Sequence, residues 1–254
     1  MPEKSDLLEL CKSVAIQAGI RLLQKTDQGI KNYAHSSELP KEIKAIADVV
    51  LEREILQALV PTGIAILSEE CGLLPAKIPS KQLFIVDPLD GTFNFVKGLG
   101  PSAVSIALWE NGKPLFGVIY SLLDQDLVWG GPSLGSHANG NRIMVSETQE
   151  RSQASICTGF PVRLDLTSQD VIQDFARLVS PFAKVRMLGS AAISLLHVAN
   201  GSADVYSEQN IMLWDVAAGL AIVEGAGGSV QYVPGTVENA LNVYASNGKI
   251  SNLG

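Results

Sequence analysis

Two aspartates separated by a proline and a leucine form the stretch with the clearest chemical potential, Asp87-Pro88-Leu89-Asp90-Gly91-Thr92. The stretch directly follows a hydrophobic run. Its proline fixes one backbone angle and its glycine permits a tight turn, so the Asp87 and Asp90 carboxylates and the Leu89 carbonyl could converge. Oxygen ligands of this kind suit Mg²⁺, Mn²⁺ or Ca²⁺ rather than zinc. The alternative is a purely structural, aspartate-capped turn that opens a helix at residues 92–95.

Two further acidic sites lie where elements are predicted to begin or end. Glu69-Glu70 follows an apolar run, and adjacent carboxylates repel each other unless a cation or solvent lies between them. Asp215 opens an apolar helix, at a position that is commonly a helix cap. Taken alone, the first site is an exposed acidic loop and the second is a cap. Together with the two aspartates they are hard to explain as independent accidents, which favours one shared cation site.

The hydrophobic pattern predicts the elements that must hold these acids. Helices are predicted at residues 5–24, 40–60, 168–180, 190–200 and 214–225, with a polar loop at 25–39. Strands are predicted at residues 64–67, 83–86, 103–109, 115–120, 128–129, 205–206, 229–233 and 242–246. Helices and strands mix in both halves, which predicts layered sheets and helices in one compact unit. Its N-terminal part, 1–138, would carry most of the acids, and its C-terminal part, 139–254, would carry Asp215 and the substrate contacts.

Composition and charge narrow the class of protein. The 254 residues are 46% hydrophobic and 18% charged, which is typical of a globular chain with a sizeable core. The formal net charge is −7 and no basic block occurs, so nucleic-acid binding through a phosphate-neutralising patch is disfavoured. An acidic protein that binds an anion needs a metal or a helix N-terminus to do so.

Cysteine usage and the apolar runs favour a soluble, cytoplasmic protein. Cys11, Cys71 and Cys157 are odd in number and widely spaced, which predicts reduced thiols rather than a disulfide framework or a zinc site. The N-terminal segment carries acids and no apolar region, so no signal peptide is predicted. No apolar run approaches the ~20 residues of a transmembrane helix, so no membrane partner is expected.

The acidic segments resemble the signatures of the inositol monophosphatase family. The matching segments are Leu67-Ser68-Glu69-Glu70, Asp87-Pro88-Leu89-Asp90-Gly91-Thr92-Phe93-Asn94-Phe95 and Trp214-Asp215-Val216-Ala217-Ala218-Gly219. Their order and spacing are those of the family, and the similarity runs through nearly the whole chain. The resemblance implies an α/β (α+β mixed) fold, the layered αβαβα sandwich shared with fructose-1,6-bisphosphatase. It also implies a Mg²⁺-dependent phosphomonoesterase that forms a homodimer and is inhibited by Li⁺.

The resemblance further implies a site of two or three Mg²⁺ ions. Glu70, Asp87 and the Leu89 carbonyl would hold the first ion. Asp87, Asp90 and Asp215 would hold the second, with Asp87 bridging the two. Glu70 would also help hold a weaker third ion, and it is therefore counted among the catalytic residues.

The remaining roles also come from the resemblance. Thr92, with Asp48 behind it, would orient or deprotonate the attacking water. The amides of Gly91 and Thr92, at a helix start, would receive phosphate oxygens. Glu208 would accept a hydroxyl hydrogen bond from the substrate, and Ala191 would line the same pocket. The alternative for Glu208 is an exposed loop acid.

The chain departs from the family pattern at a few positions. Phe93 stands where the family commonly has a second threonine, and Lys97 stands where it has a histidine. The segment 41–47, before Asp48, is not the family's run of valine and threonine, and Ala45 replaces a threonine. None of these departures removes an expected metal ligand.

Several activities remain open within this class. The main interpretation is hydrolysis of inositol 1-phosphate by a metal-activated water. The alternatives are fructose-1,6-bisphosphatase, 3′-phosphoadenosine-phosphate phosphatase and histidinol-phosphatase activity. A carboxylate at Glu208 suits a polyol and repels a second phosphate, which disfavours bisphosphates. A different class, a non-catalytic regulator that binds metal or phosphate, is disfavoured because Thr92 and the acids are all present.

Overall fold

The computed structural model describes residues 3–25, 33–35, 43–160 and 167–252. Its α-helices are α1 (Lys4–Lys25), α2 (Ile46–Leu59), α3 (Thr92–Lys97), α4 (Gln169–Val179), α5 (Ala191–Ala199) and α6 (Leu213–Gly225). Its strands are β1 (Tyr33–His35), β2 (Ile43–Ala45), β3 (Ala65–Ser68), β4 (Gly72–Leu74), β5 (Gln82–Asp90), β6 (Ala103–Glu110), β7 (Lys113–Ser121), β8 (Leu127–Gly131), β9 (Gly135–Ala138), β10 (Asn141–Ile143), β11 (Ser155–Cys157), β12 (Lys184–Arg186), β13 (Val205–Met212), β14 (Ser229–Pro234) and β15 (Ala240–Ser246). Single 3₁₀ turns lie at Val60–Thr62 and Arg151–Gln153.

The larger sheet has eight strands in the order β10-β9-β8-β7-β6-β5-β3-β4. All neighbours in it are antiparallel except β3 and β5, which run parallel. Strands β5, β6 and β7 are buried along almost their whole length. Near-continuous burial of this kind indicates a sheet that is covered on both faces.

The smaller sheet has five strands in the order β12-β11-β13-β15-β14. Strand β11 runs parallel to both β12 and β13, whereas β15 is antiparallel to β13 and β14. This mixed sheet carries Glu208 on β13, and the following helix, α6, carries Asp215.

Five layers of secondary structure pack on one another. Helices α1 and α2 cover the outer face of the larger sheet, where Leu51 of α2 and Phe84 of β5 belong to one buried cluster. Helices α5 and α6 lie between the two sheets in a second cluster, with Leu195 and Leu220 fully buried. Helix α4 packs on the outer face of the smaller sheet through the hydrophobic residues near its C-terminal end. The expected αβαβα sandwich is confirmed.

The structure corrects two boundaries near the N-terminus. The predicted helix at 40–60 begins only at Ile46, and the three residues before it form β2. Strand β2 pairs with β1, which lies inside the stretch predicted as a loop at 25–39. The helix begins late because the Asp48 carboxylate accepts a hydrogen bond from the Ala45 N–H (2.8 Å) and so caps α2 from its first turn. Pro40, the expected helix start, lies outside the described residues.

The remaining general expectations concern thiols, membranes and the division of the chain. Cys11 and Cys157 are buried free thiols and Cys71 is an exposed one. In the part of the chain that the structure describes, no helix has the length and apolar content needed to cross a membrane. Strands β9 and β10 pair in the same sheet, so the larger sheet continues to Ile143. The division into parts near residue 138 stays a prediction.

Candidate active site

A bulge in β5 puts Asp87 and Asp90 on the same face of the larger sheet. Their partners on β6, Ser105 and Ala103, are two residues apart, whereas the aspartates are three apart. Side chains alternate between faces along a strand, so one extra residue brings both carboxylates to one face. Asp87 Oδ1 accepts a hydrogen bond from the Leu89 N–H (2.9 Å) within the bulge. The expected tight turn after residue 86 is therefore a bulge in a strand that continues to Asp90.

Close packing of α6 on the larger sheet brings Asp215 to the strand aspartates. A Cβ on Gly117 of β7 would lie 2.1 Å from the Ala218 carbonyl oxygen, so only glycine permits this approach. The Trp109 indole N–H donates to the Ala217 carbonyl (3.2 Å) and fixes the helix against β6. Asp215 lies in the first turn of the helix held in this way.

Three aspartates meet where β5 and α6 come together. One carboxylate oxygen from each of Asp87, Asp90 and Asp215 lies within 4.8 Å of the others. Burial, followed by repulsion from neighbouring carboxylates, raises the pKa of Asp87 and of Asp215 well above the ordinary value. Carboxylates held this close need a proton or a cation between them, and an all-oxygen donor set fits a hard divalent cation. The residues present therefore fit the metal that the sequence predicts.

Glu69 is the fourth carboxylate of the cluster, and Glu70 is not. Because β3 and β5 run parallel, the residues that follow their paired positions lie side by side. The Glu69 carboxylate is in hydrogen-bonding contact with the Asp87 carboxyl, and burial together with repulsion by Asp215 raises the pKa of Glu69 well above its ordinary value. Both glutamates are half-buried, but only Glu69 lines the cavity that the other acids share. The structure therefore places Glu69 rather than Glu70 beside the other acids, since adjacent residues of a turn present their side chains to different surroundings. The ligand role expected of Glu70 stays a prediction.

Thr92 and Asp48 form a hydroxyl–carboxylate pair beside the cluster. The Thr92 hydroxyl oxygen is 2.9 Å from Asp48 Oδ1 and 2.9 Å from the Leu89 carbonyl oxygen, and its single proton serves one of them at a time. Burial raises the pKa of Asp48 to about 6, against the hydrogen bonds from Ala45 and Thr92, which lower it. Residue 45 contributes only its backbone N–H, so the alanine at this position leaves the contact intact.

The N-terminus of α5 holds Asp90 in place. The Ser190 hydroxyl and the Ala192 N–H (2.9 Å) both donate to Asp90 Oδ2, and the Ala191 N–H lies 3.3 Å from Oδ1. Burial raises the pKa of Asp90 to about 6, and these three donors oppose that rise because they favour the carboxylate. Ser190 is a site residue that the sequence analysis missed. Its position as the N-cap of α5, before the run of alanines, is the signal that could have identified it.

Gly91 links the cluster to α3 through a backbone conformation that favours glycine. Its φ is +80°, and it is the N-cap residue of the six-residue helix that Thr92 begins. A Cβ at this position would lie 2.9 Å from the Pro101 carbonyl oxygen and 3.2 Å from that of Gly189. Gly91 and Thr92 both line the cavity described below. Their expected role as phosphate-binding amides stays a prediction.

Glu208 faces the same site from the smaller sheet. It lies on β13 and is 8% exposed, so it is not the exposed loop acid of the alternative interpretation. The Tyr206 hydroxyl donates to Glu208 Oε2 (2.9 Å). Burial raises the pKa of Glu208 to about 7. The hydrogen bond from Tyr206 thus holds one of the two carboxyl oxygens of Glu208. Glu208 and Ala191 line the same cavity, described below.

A cavity of about 310 Å³ joins these groups. The expected site residues on its wall are Asp87, Leu89, Asp90, Gly91, Thr92, Ala191, Glu208 and Asp215. Asp48 lies behind Thr92 rather than on the wall, and Glu69 takes the place expected for Glu70. Three large aromatic side chains, Phe93, Phe160 and Trp214, also line the cavity. Sequence analysis singled out Phe93 as a departure and Trp214 as a residue of the third signature, and Phe160 was missed.

The whole described chain matches one protein family. The sequence profile of the inositol monophosphatase family matches residues 3–252. The chain belongs to the inositol monophosphatase family. It is 34% identical over 247 residues to an inositol-1-monophosphatase of Synechocystis sp., and the aligned residues cover 96% of this chain and 85% of that protein. It is also 35% identical over 189 residues to the Nus factor SuhB of Xylella fastidiosa, and these residues cover 74% of this chain and 67% of that protein.

A solved structure shows the same fold. The extragenic suppressor protein SuhB of Bartonella henselae superposes with a TM-score of 0.84 at 30% sequence identity, covering 96% of this chain and 95% of that one. The likeness therefore includes both sheets and all the layers that carry the acidic cluster. As a member of the inositol monophosphatase family, the chain has an enzyme's fold. The acids on its cavity wall are Glu69, Asp87, Asp90, Glu208 and Asp215.

Proposed function

We propose that this protein is a Mg²⁺-dependent phosphomonoesterase whose preferred substrate is inositol 1-phosphate. The observation that carries the proposal is the meeting of four carboxylates, Glu69, Asp87, Asp90 and Asp215, beside the Thr92–Asp48 pair in one cavity. Family membership supports hydrolysis of a phosphate monoester, and the cavity chemistry supports its dependence on a divalent cation.

The acids of the site would hold two or three Mg²⁺ ions. Glu69, Asp87 and the Leu89 carbonyl would hold the first, and Asp87, Asp90 and Asp215 the second, while Glu69 would also help hold a weaker third. When bound, such ions neutralise phosphate charge, lower the pKa of a water and stabilise the leaving oxygen. The chain's part is to keep four carboxylates and one carbonyl oxygen together in a buried site, where the carboxylates repel one another until a cation binds.

The Thr92–Asp48 pair orients the attacking water. The Thr92 hydroxyl donates to the Asp48 carboxylate, which leaves its oxygen lone pairs free to accept from a water in the cavity. Asp48 then holds the proton that the threonine passes on, and a carboxyl whose pKa is about 6 is matched to that task near neutral pH. The backbone amides of Gly91 and Thr92 would bind the phosphate oxygens.

Glu208 is proposed to select a polyol leaving group. Its Oε2 is bound by the Tyr206 hydroxyl, and Oε1 remains to accept a hydroxyl hydrogen bond from the substrate. A carboxylate here repels a second phosphate, which disfavours fructose 1,6-bisphosphate. Ala191 is small enough to leave room for the ring beside it.

The partners and location follow from the same interpretation. We propose that the protein is a homodimer in the cytoplasm. We also propose that it binds no nucleic acid, since its net charge is −7 and its lysines and arginines are scattered along the chain. The buried free thiols Cys11 and Cys157 are compatible with a reducing compartment. Light scattering during size-exclusion chromatography measures the oligomeric state directly.

A phosphate-release assay tests the activity. Metal-free protein is given inositol 1-phosphate, fructose 1,6-bisphosphate, 3′-phosphoadenosine 5′-phosphate and histidinol phosphate, each with Mg²⁺ and with chelator. We expect Mg²⁺-dependent release, fastest from inositol 1-phosphate. Release from none of the substrates, by protein that binds the metal, would instead support the non-catalytic regulator. Preference for another substrate would still support the phosphatase proposal but would overturn the polyol assignment.

A further inference from the structure

Helix α2 presents a second buried carboxylate one turn after Asp48. Glu52 is 8% exposed and Asp48 is 2% exposed, and residues four apart lie on the same face of a helix. Asp48 belongs to the site through its contact with Thr92. None of the site functions described above uses Glu52.

The contacts of Glu52 converge on one oxygen. Glu52 Oε1 accepts hydrogen bonds from the Ser68 hydroxyl (2.5 Å) and from the Cys71 N–H (3.0 Å). One side-chain oxygen therefore connects α2 to the turn that joins β3 to β4.

These two donors stand on either side of the Glu69-Glu70 pair. Ser68 is the last residue of β3, and Cys71 follows the pair directly. The Glu69 N–H donates to the Val86 carbonyl (3.2 Å), the residue before Asp87. The turn is thus held to β5 at its start and to α2 at both ends. A loop carboxylate without such contacts would lose conformational freedom on binding a cation, which weakens binding.

We propose that Glu52 is a positioning residue that sets the place of the Glu69 carboxylate in the metal site. The inference rests on the proposed ligand role of Glu69. Removing a group that hydrogen-bonds a metal ligand typically costs about 10-fold to 100-fold in metal affinity. Glu52 acts one step further out, through Ser68 and Cys71 on either side of the Glu69-Glu70 pair. Glu52 acts as a hydrogen-bond acceptor at a fixed point, and its charge is not what the cation site requires.

Direct Mn²⁺ binding to the metal-free, full-length protein tests the proposal, measured by electron paramagnetic resonance without substrate. Glu52→Leu removes the acceptor and is expected to weaken binding by about 10-fold or more, whereas Glu52→Gln keeps an acceptor oxygen and stays within about threefold of wild type. Glu54→Gln is the matched control on the same helix, because Glu54 faces Arg21 (3.5 Å) instead of the turn, and it is expected to bind like wild type.

Ser68→Ala provides a variant with a smaller perturbation in case Glu52→Leu does not fold. It deletes one of the two hydrogen bonds and is expected to weaken Mn²⁺ binding by a smaller factor than Glu52→Leu. Added to Glu52→Leu, it should weaken binding no further, because both changes remove the same contact. The concentration of Mg²⁺ that gives half-maximal activity should rise in these variants more than kcat at saturating Mg²⁺ falls.

The outcomes separate this inference from the function on which it rests. Glu69→Gln that binds Mn²⁺ like wild type would overturn the ligand role itself. Weak binding by Glu69→Gln, with folded Glu52→Leu or Ser68→Ala binding like wild type, would overturn the positioning role alone. Equal losses in Glu52→Gln and Glu52→Leu would mean that the charge of Glu52 acts, and the positioning proposal would again be wrong.

Discussion

Asp87 and Asp90 are three residues apart in the chain but two positions apart in the sheet, because β5 bulges between them. In an unbroken strand, residues three apart face opposite sides. The bulge therefore converts a spacing that would separate the carboxylates into one that brings them together. Strand β5 ends at Asp90 and α3 begins at Thr92, so the single residue Gly91 separates the acidic cluster from the Thr92 hydroxyl along the chain.

Removing one carboxylate should separate catalysis from folding. We expect Asp215→Asn to abolish phosphate release while raising the melting temperature of the metal-free protein, because repulsion with Asp90 and Glu208 is relieved. Differential scanning calorimetry and the phosphate-release assay measure the two effects. Asp174→Asn, at an exposed salt bridge with Arg177, is the control and should change neither. Wild-type turnover by Asp215→Asn would contradict the assignment.

The metal-free protein should become less stable as the pH rises from about 5.5 to 7.5. Burial raises the pKa of Asp48 and of Asp90 to about 6 and that of Glu208 to about 7. A raised pKa means that the folded state binds more protons than the unfolded chain over this range, so the free energy of unfolding falls with rising pH. The melting temperature without metal should drop by several degrees, and saturating Mg²⁺ should cancel the drop by favouring the anions.

Asp204 provides an internal check on that pH dependence. Hydrogen bonds from Ser146 and Ser155 lower its pKa below the ordinary value, so its contribution to stability is lost only in more acidic solution. Asp204 should therefore not contribute to the change in melting temperature between about pH 5.5 and 7.5. A metal-free melting temperature that rises between about pH 5.5 and 7.5 would show that the buried acids of the site are not protonated as expected.

Li⁺ should inhibit phosphate release. Family membership leads us to expect that Li⁺ occupies the second cation site, formed by Asp87, Asp90 and Asp215, after hydrolysis. Excess Mg²⁺ should inhibit as well, because release of the product requires an ion to leave. Titrating each ion into the phosphate-release assay at fixed substrate measures the effect. Unchanged activity up to tens of millimolar Li⁺ would count against this prediction.

Glu208→Gln should show whether Glu208 contacts the polyol part of the substrate or takes part in the hydrolysis of every phosphate ester. The glutamine amide keeps an acceptor oxygen but lacks the negative charge that strengthens the hydrogen bond from the polyol hydroxyl. We therefore expect kcat/KM for inositol 1-phosphate to fall by about 10-fold, with an aryl phosphate nearly unaffected because it makes no such hydrogen bond. Tyr206→Phe keeps the carboxylate but removes its fixed donor, so it should produce a smaller loss. Equal losses on both substrates in Glu208→Gln would overturn the polyol assignment.

Gly91→Ala should be more damaging than the same change at the other end of α3. Both Gly91 and Gly98 have positive φ, +80° and +62°, so each substitution strains the backbone by about 1 kcal/mol. Only at Gly91 would the new Cβ meet other backbone atoms, with the Pro101 oxygen at 2.9 Å, whereas nothing lies within 4 Å at Gly98. We expect Gly91→Ala to lower the melting temperature further than Gly98→Ala and to lose activity. Equal melting temperatures would show that the close contact relaxes freely.

Much of the site was predictable because its residues cluster in three short motifs. The pattern of a hydrophobic run beside acids located the end of β3 and the start of α6 to within one residue, whereas β5 continues through its two aspartates to Asp90. Ala45 departs from the family pattern, yet residue 45 still donates a hydrogen bond to Asp48, because this contact uses a backbone N–H and no side chain. The late start of α2 was not predictable from apolar spacing, since the β2 residues continue the helical stripe and only the pairing with β1 makes them a strand.

The sequence by itself determined the types of oxygen donor, their order along the chain and the family to which the protein belongs, because these are properties of short local motifs. Only the tertiary structure distinguishes the surroundings of Glu69 from those of Glu70. The motif contains both glutamates, and the difference depends on the parallel pairing of β3 with β5, which places Glu69 beside Asp87. Tertiary structure also brings Ser190 and Glu52 to their partners. Ser190 lies 100 residues from Asp90 in the chain and Glu52 lies 16 residues from Ser68, and only the packing of separate elements brings these groups within hydrogen-bonding distance.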